Sequence, residues 1–231
     1  LEARRTGVAV DPGAEPANHA EAYEAQRLTA ERLGARVAGW KAADHPKIGP
    51  VAAPIFAAVS HGAGAAWAVT PGLGVEIEVA LRLKRDLPQG NYDRADIAAA
   101  VDGYAVGVEL VRTRLKDPQR NPFALLGDLM INAGYVMGPI QQPLADYAVP
   151  GRRCLFSVRD RTLHDAPCQP PALDPFGLIA TWLTRADDRL GGLKAGQYVT
   201  TGSVCGIIPV TDRGRARAEI VGLGAVDLDL T

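Results

Sequence analysis

The spacing of apolar and polar residues changes period several times along the chain. Ala17 to Leu33 carries a helical pattern, with Pro16 suited to the first turn and Gly34 just past the end. Arg36 to Ala42 reads as a short strand. Val75 to Leu83 alternates, so that Val75, Ile77, Val79, Leu81 and Leu83 share one face. Asp93 is placed to cap a helix running to about Asp102, with Asp96 in its first turn. Tyr104 to Val111 is the next strand. Asn121-Pro122 opens a helix that closes near Gly134. Asp174-Pro175 opens a longer one through Leu178, Ile179, Trp182 and Leu183, stopped by Gly191-Gly192. Short strands follow at Gln197 to Thr201, Gly206 to Val210, Arg215 to Val221 and Ala225 to Leu230. Strands do not alternate with crossover helices, which argues against a doubly wound parallel sheet. The pattern predicts a strand-rich α+β fold. A small N-terminal α/β segment covers residues 1–70 and the main domain residues 71–231, divided at the Pro and Gly run from Ala65 to Gly74.

Composition narrows the function. The chain has 231 residues with 25 Lys and Arg against 26 Asp and Glu, so a net charge of -1 offers no attraction for nucleic acid or an acidic membrane. From Ile48 to Val75 there is no charged residue, a length that prompts a membrane reading. Pro50, Pro54, Pro71 and many small residues instead predict buried short strands and turns. Cys154, Cys168 and Cys205 are odd in number, form no CxxC and lack metal-ligand spacing. They are expected to be reduced thiols in a cytoplasmic protein. No basic segment followed by an apolar one suggests secretion.

Three glutamates carry the chemistry. Glu76 and Glu78 lie two apart on a strand and project from one face. They are either part of a solvated face continued by Arg82 and Lys84, or two ligands of a cation. Asp227 and Asp229 repeat the spacing and read as exposed. Glu109 lies in AVGVELV, apolar on both faces, where an ionised carboxylate needs a compensating charge. Arg112 or Arg114 could supply that charge. The alternative is a metal shared with Glu76 and Glu78, an all-oxygen site suited to Mg²⁺ or Mn²⁺ rather than zinc.

The runs PGLGVEIEVALRLKRDLP (Pro71 to Pro88), VELVRTR (Val108 to Arg114) and GDLMINAGYVMG (Gly127 to Gly138) resemble the fumarylacetoacetate hydrolase superfamily. GWKA (Gly39 to Ala42), LKAGQYVTTGS (Leu193 to Ser203) and GLGAVDLDL (Gly222 to Leu230) resemble its 2-keto-4-pentenoate hydratase branch. The likeness covers nearly the whole chain in order. It implies the mixed β-sheet roll of that superfamily's C-terminal domain. It also implies Mg²⁺ or Mn²⁺ on Glu76, Glu78 and Glu109, and a small 2-oxo or 2-hydroxy acid whose head chelates the metal. Lys41 is then an acid/base group or a carboxylate partner, against a surface lysine as the alternative. Burial can tune such a lysine towards neutral. Asp128 is a second catalytic candidate, a polar residue near the site. Arg114, Thr201, Gly202 and Ser203 are candidates for holding the substrate.

The implied reaction is hydration of a dienol such as 2-hydroxypenta-2,4-dienoate in aromatic catabolism. Decarboxylation of a 2-oxo-3-enedioate and hydrolysis of an acylpyruvate are the alternatives, as is a non-catalytic metal-binding subunit of an active relative. A homo-oligomer is expected, or an assembly with a related decarboxylase. The chain departs from the branch at Pro54-Ile55-Phe56, where many hydratases carry an acidic residue. His45 and His61 are the nearby titratable alternatives.

Overall fold

Alternating strands dominate the chain and pair into two sheets. The computed structural model describes residues 3, 7–11, 13–117, 121–142, 149–185 and 190–231. The strands are β1 (Val37–His45), β2 (Gly49–Phe56), β3 (Ser60–Gly62), β4 (Ala66–Trp67), β5 (Gly74–Leu83), β6 (Val101–Val111) and β7 (Asn132–Met137). After them come β8 (Arg153–Val158), β9 (Arg161–Pro167), β10 (Tyr198–Thr200), β11 (Ile208–Pro209), β12 (Gly214–Ile220) and β13 (Gly224–Leu230). The helices are α1 (His19–Leu33), α2 (Arg94–Ala100), α3 (Pro122–Gly127) and α4 (Pro175–Leu183).

The first sheet has eight strands in the order β2-β1-β10-β5-β6-β7-β3, with β11 also on β5; the second has the order β4-β13-β12-β8-β9. Most pairs are antiparallel. The parallel ones are β1 with β10, β3 with β7 and β13 with β4. Val75, Ile77, Val79, Leu81 and Leu83 fall on one face of β5, as their alternation requires. They join a core with Phe156, Val158, Ala216, Ala218, Ile220 and Leu228 from the second sheet. Each large aliphatic buried there contributes about 1.5–3 kcal/mol.

The opposite face of the first sheet is covered as well. Ala30 of α1 meets Ala53, Phe56 and Leu129, and Ala22 of α1 meets Val51 and Leu126. Glu76 and Glu78 therefore do not lie on a solvated outer face; Glu78 is 0% exposed. Strands β1, β2 and β3 precede residue 71 yet pair within this sheet, while β4 pairs β13 of the other. The Pro and Gly run from Ala65 to Gly74 is the crossing between the sheets.

Local signals set most boundaries. Asn18, in extended backbone, accepts from the Glu21 amide, so α1 starts at His19 rather than Ala17. Asp93 and Asp96 form a reciprocal capping box on α2. Asp174 caps α4, which ends at Leu183 with Thr184 as its C-cap, short of the expected stop at Gly191-Gly192. Two further expectations change. The helix opened by Pro122 ends at Gly127 instead of near Gly134, because Leu129, Met130 and Ile131 take left-handed backbone. The hairpin β8–β9 lies where the pattern predicted nothing; β9 is an edge strand whose exposure barely alternates. Among the described residues no helix is long and apolar enough to cross a membrane.

Candidate metal and substrate site

Register brings the three glutamates together. In the β5–β6 pair Glu76 faces Glu109 and Glu78 faces Gly107. Strand β10 lies between β1 and β5, with Thr200 opposite both Lys41 and Ala80. Lys41, Thr200, Ala80, Glu78, Glu76 and Glu109 thus share the face opposite the main core. One carboxylate oxygen from each of Glu76, Glu78 and Glu109 lies within 4.8 Å of the others.

Lys41 enters this cluster. Its Nζ is 2.9 Å from Glu76 Oε2 and 2.8 Å from Glu109 Oε2, and it reaches the Met130 carbonyl at 3.5 Å. Asn132 Nδ2 donates to Glu109 Oε1 at 2.9 Å. Both Glu78 oxygens are buried without a hydrogen-bond partner, and so is the Thr200 hydroxyl. Fully ionised, three carboxylates and one ammonium leave two uncompensated negative charges away from water. Burial, opposed by Lys41 and reinforced by Glu76, pushes the Glu109 carboxyl up to about 7. Burial and the Glu109 charge push Glu78 well above the usual carboxylate range. A divalent cation would cancel the surplus, and hard oxygen donors suit Mg²⁺ or Mn²⁺. The orphaned Glu78 oxygens fit that use.

Lys41 is not tuned towards neutral. Burial works in that direction, but the charges of Glu109, Glu76 and Glu78 outweigh it and hold the ammonium above the usual lysine range. It is buried, which excludes the surface-lysine alternative. Neither Arg112 nor Arg114 is the Glu109 counterion. Arg112 reaches the Thr70 hydroxyl.

Arg114 and Asp128 are placed beside the cluster and bind each other. The Asp128 carboxylate accepts from Arg114 Nε and from its backbone N–H, while Nη1 and Nη2 donate to the carbonyls of Asn132 and Asp128. This clamp spans the turn Leu129–Ile131, whose φ values are 57°, 50° and 61°. Left-handed backbone costs a non-glycine residue about 1–2 kcal/mol. The turn aims the Met130 carbonyl at Lys41 and leads into Asn132.

In the Thr201-Gly202-Ser203 segment the residue on the site face is Thr200, one position earlier. Thr201 is buried, Gly202 turns at φ 99° with Pro171 against its α-carbon, and the Ser203 hydroxyl donates to the Gly206 carbonyl at 2.9 Å. His45 accepts from the Lys47 amide and His61 lies against the Trp67 ring, so neither reaches the cluster.

Pattern reading did not single out two tyrosines. Tyr135 on β7 faces Glu109, and its buried hydroxyl has no partner. A β-carbon at residue 107 would lie 2.1 Å from that hydroxyl, so Gly107 is required for the ring to cover the cluster. The Tyr198 ring stacks at 4.9 Å on Tyr135, and its hydroxyl is 2.9 Å from Ser60 Oγ. Ile55, at the position where an acid was sought, is fully buried against both rings. Alternation along β6 and β7 would have marked Gly107 and Tyr135 as facing the glutamates, once the pairing was known.

No family model matches the chain. Over 194 residues it is 28% identical to a 2-keto-4-pentenoate hydratase of Burkholderia vietnamiensis, covering 81% of this chain and 71% of that protein. A second such hydratase, from Paraburkholderia phymatum, is 29% identical over 66% of this chain and 58% of its own length. Among solved structures, 4-oxalocrotonate decarboxylase of Pseudomonas putida G7, complexed with magnesium and adipate, matches with a TM-score of 0.82. That match has 18% identity and covers 100% of this chain and 94% of the other. Fumarylpyruvate hydrolase of Pseudomonas aeruginosa, in complex with Mn²⁺ and pyruvate, matches at 0.61 with 18% identity, over 83% and 88%. Sequence and fold thus agree: the chain is similar to 2-keto-4-pentenoate hydratases in sequence and shares the fold of 4-oxalocrotonate decarboxylase and fumarylpyruvate hydrolase, in keeping with its motif resemblance to the fumarylacetoacetate hydrolase superfamily.

Proposed function

We propose that the chain is a divalent-metal-dependent enzyme that adds water to the dienol form of a small 2-oxo acid, with 2-hydroxypenta-2,4-dienoate as the model substrate. The observation that carries this reading is the buried glutamate triad with Lys41 inserted and the Glu78 oxygens unpaired. Similarity to two curated hydratases supports the reaction type. Glu76, Glu78 and Glu109 would hold Mg²⁺ or Mn²⁺, which supplies Lewis-acid stabilisation of negative charge developing on the 2-oxo acid head.

The chain's own residues do the rest. Asn132 fixes the Glu109 carboxylate by donating to Oε1. The Arg114–Asp128 clamp holds the turn that positions Asn132 and the Met130 carbonyl. Tyr135 and Tyr198 close the site against water and present hydroxyls at its wall. Lys41 keeps its proton while its ion pairs with Glu76 and Glu109 last. With those carboxylates engaged by a cation, Lys41 would be free to grip the substrate carboxylate or to give its proton to carbon, regaining one from the water that adds. With Ile55 in place of an acid, Lys41 is the mobile proton carrier of this reading.

Decarboxylation of a 2-oxo-3-enedioate is the second reading, supported by the full-length fold likeness to a decarboxylase. One ultraviolet assay separates the two. Chelator-treated protein is resupplied with Mg²⁺ or Mn²⁺ and offered 2-hydroxypenta-2,4-dienoate and 2-oxo-3-hexenedioate in parallel. Loss of the dienol chromophore, dependent on added metal, supports the hydratase. Turnover of the enedioate alone supports the decarboxylase. Metal binding with no turnover of any 2-oxo acid supports a non-catalytic subunit.

A further inference from the structure

The cysteines have no metal-ligand spacing in the sequence, yet the fold gathers two of them around a histidine. Cys154 Sγ, a ring nitrogen of His164 and Cys205 Sγ lie within 4.8 Å of one another. They come from three places: β8, β9, and the loop between β10 and β11. Cys154 pairs with Ala166 across the hairpin, so His164 is its diagonal neighbour on the same face. Cys154 is fully buried and Cys205 half-buried. His164 Nε2 is buried with no hydrogen-bond partner, an arrangement that leaves a polar nitrogen without compensation.

We propose that Cys154, His164 and Cys205 form a second metal site, separate from the glutamate cluster, that takes a borderline-soft divalent cation such as Zn²⁺. Two sulfurs and an imidazole nitrogen match the zinc donor set and suit Mg²⁺ poorly. Tetrahedral bonds of about 2.3 Å to sulfur and about 2.0–2.1 Å to nitrogen put neighbouring ligands about 3.4–3.8 Å apart. Small side-chain movements from the present separation reach that. The three ligands leave one tetrahedral position for solvent. Binding releases the two thiol protons as the Zn–S bonds form, with no change of oxidation state.

The position of the site gives it a task. Cys205 lies two residues past Ser203, and the intervening Val204 amide donates to the Ile77 carbonyl of β5 at 2.8 Å. Ile77 sits between Glu76 and Glu78. A cation on Cys154, His164 and Cys205 therefore ties the segment beside the glutamates to the second sheet. This inference stands independently of the proposed reaction.

Cobalt titration tests it. Full-length, reduced, chelator-treated protein should develop a thiolate-to-cobalt charge-transfer band that saturates at one Co²⁺ per chain, separate from any Co²⁺ held by the glutamates without such a band, and Zn²⁺ should abolish it. Cys205→Ser and Cys154→Ser should each abolish the band, whereas Glu78→Gln should retain it. His164→Ala should weaken Zn²⁺ at least about tenfold in competition with a chromophoric chelator. In the wild-type protein, one equivalent of Zn²⁺ should also slow alkylation of Cys205 under reducing conditions, a readout that needs no variant to fold. Absence of a charge-transfer band, persistence of the band in Cys205→Ser, or unprotected Cys205 at saturating Zn²⁺ each overturns the proposal. A Cys154–Cys205 disulfide forming in air, with no cation uptake by the reduced protein, overturns it as well.

Discussion

Replacing Lys41 by Met tests whether its ammonium is the internal counter-cation of the glutamate cluster. Methionine keeps the apolar stem and removes one positive charge lying 2.9 Å from Glu76 and 2.8 Å from Glu109. Breaking a buried ion pair from one side costs about 3–5 kcal/mol, because the remaining charges lose their compensation. At about 2 °C per kcal/mol for a chain of this size, the metal-free variant should melt roughly 6–10 °C below the metal-free wild type. Divalent cations act in the opposite direction. They no longer compete with an ammonium for the same carboxylates, so Mg²⁺ should raise the melting temperature of the variant more than that of the wild type. At a hundred times the Kd the gain is about 2.7 kcal/mol. Differential scanning calorimetry in chelator and in Mg²⁺ gives all four values. Activity supplies the second readout: loss of a positioned proton donor lowers kcat by about 10²–10⁴, while loss of a carboxylate grip raises KM. Equal melting temperatures of the two metal-free proteins would refute the counter-cation argument. Wild-type kinetics would refute the mechanistic role.

Other perturbations probe the supports of the site. Asn132→Ala removes the donor to Glu109 and should weaken Mg²⁺ by about 10–100-fold in titration calorimetry, with the fold intact by circular dichroism; unchanged affinity counts against a positioning role. Gly107→Ala places a methyl 2.1 Å from the Tyr135 hydroxyl and should destabilise by about 1–3 kcal/mol in urea; an unchanged midpoint means the ring moves freely. The metal-free protein should lose stability as pH rises from about 4.5 to about 7. Over that window the unfolded chain has released the Glu109 proton and the folded one retains it, so the unfolded state binds fewer protons. A shift from 4.5 to about 7 corresponds to about 3 kcal/mol. Saturating Mg²⁺ or Glu109→Gln should flatten that slope, and a metal-free protein more stable at pH 7.5 than at pH 5 contradicts the sign.

The glutamate cluster was legible in the sequence because it rests on alternation alone. Strand spacing puts Glu76 and Glu78 on one face, and the apolar run around Glu109 marks a buried strand. Lys41 was legible only through the family likeness, since nothing local says that β10 lies between its strand and β5. In the expected substrate segment, strand pairing puts Thr200 on the glutamate face, one position before Thr201, a register that pattern reading alone did not single out. The turn at Leu129–Ile131 was hidden because its residues are ordinary helix formers. Left-handed backbone there is bracketed by Arg114, which bonds Asp128 and Asn132 on either side of the turn, a tertiary contact. The cysteine and histidine cluster was invisible for the same reason: its members meet across a hairpin and a distant loop.

The parallel pair of β1 and β10 has a consequence for how the molecule comes into being. Trp40 donates to Gln197 across 157 residues, and Lys41 is registered against Thr200. Closing so long a stretch is entropically costly and slow compared with the local β5–β6 and β12–β13 pairings. During synthesis the lysine strand emerges early but has no neighbour on that side until residues near 200 have left the ribosome. The glutamate hairpin can form long before its counter-charge arrives. In the interval, water, divalent cations or protons have to screen the three clustered carboxylates in place of Lys41.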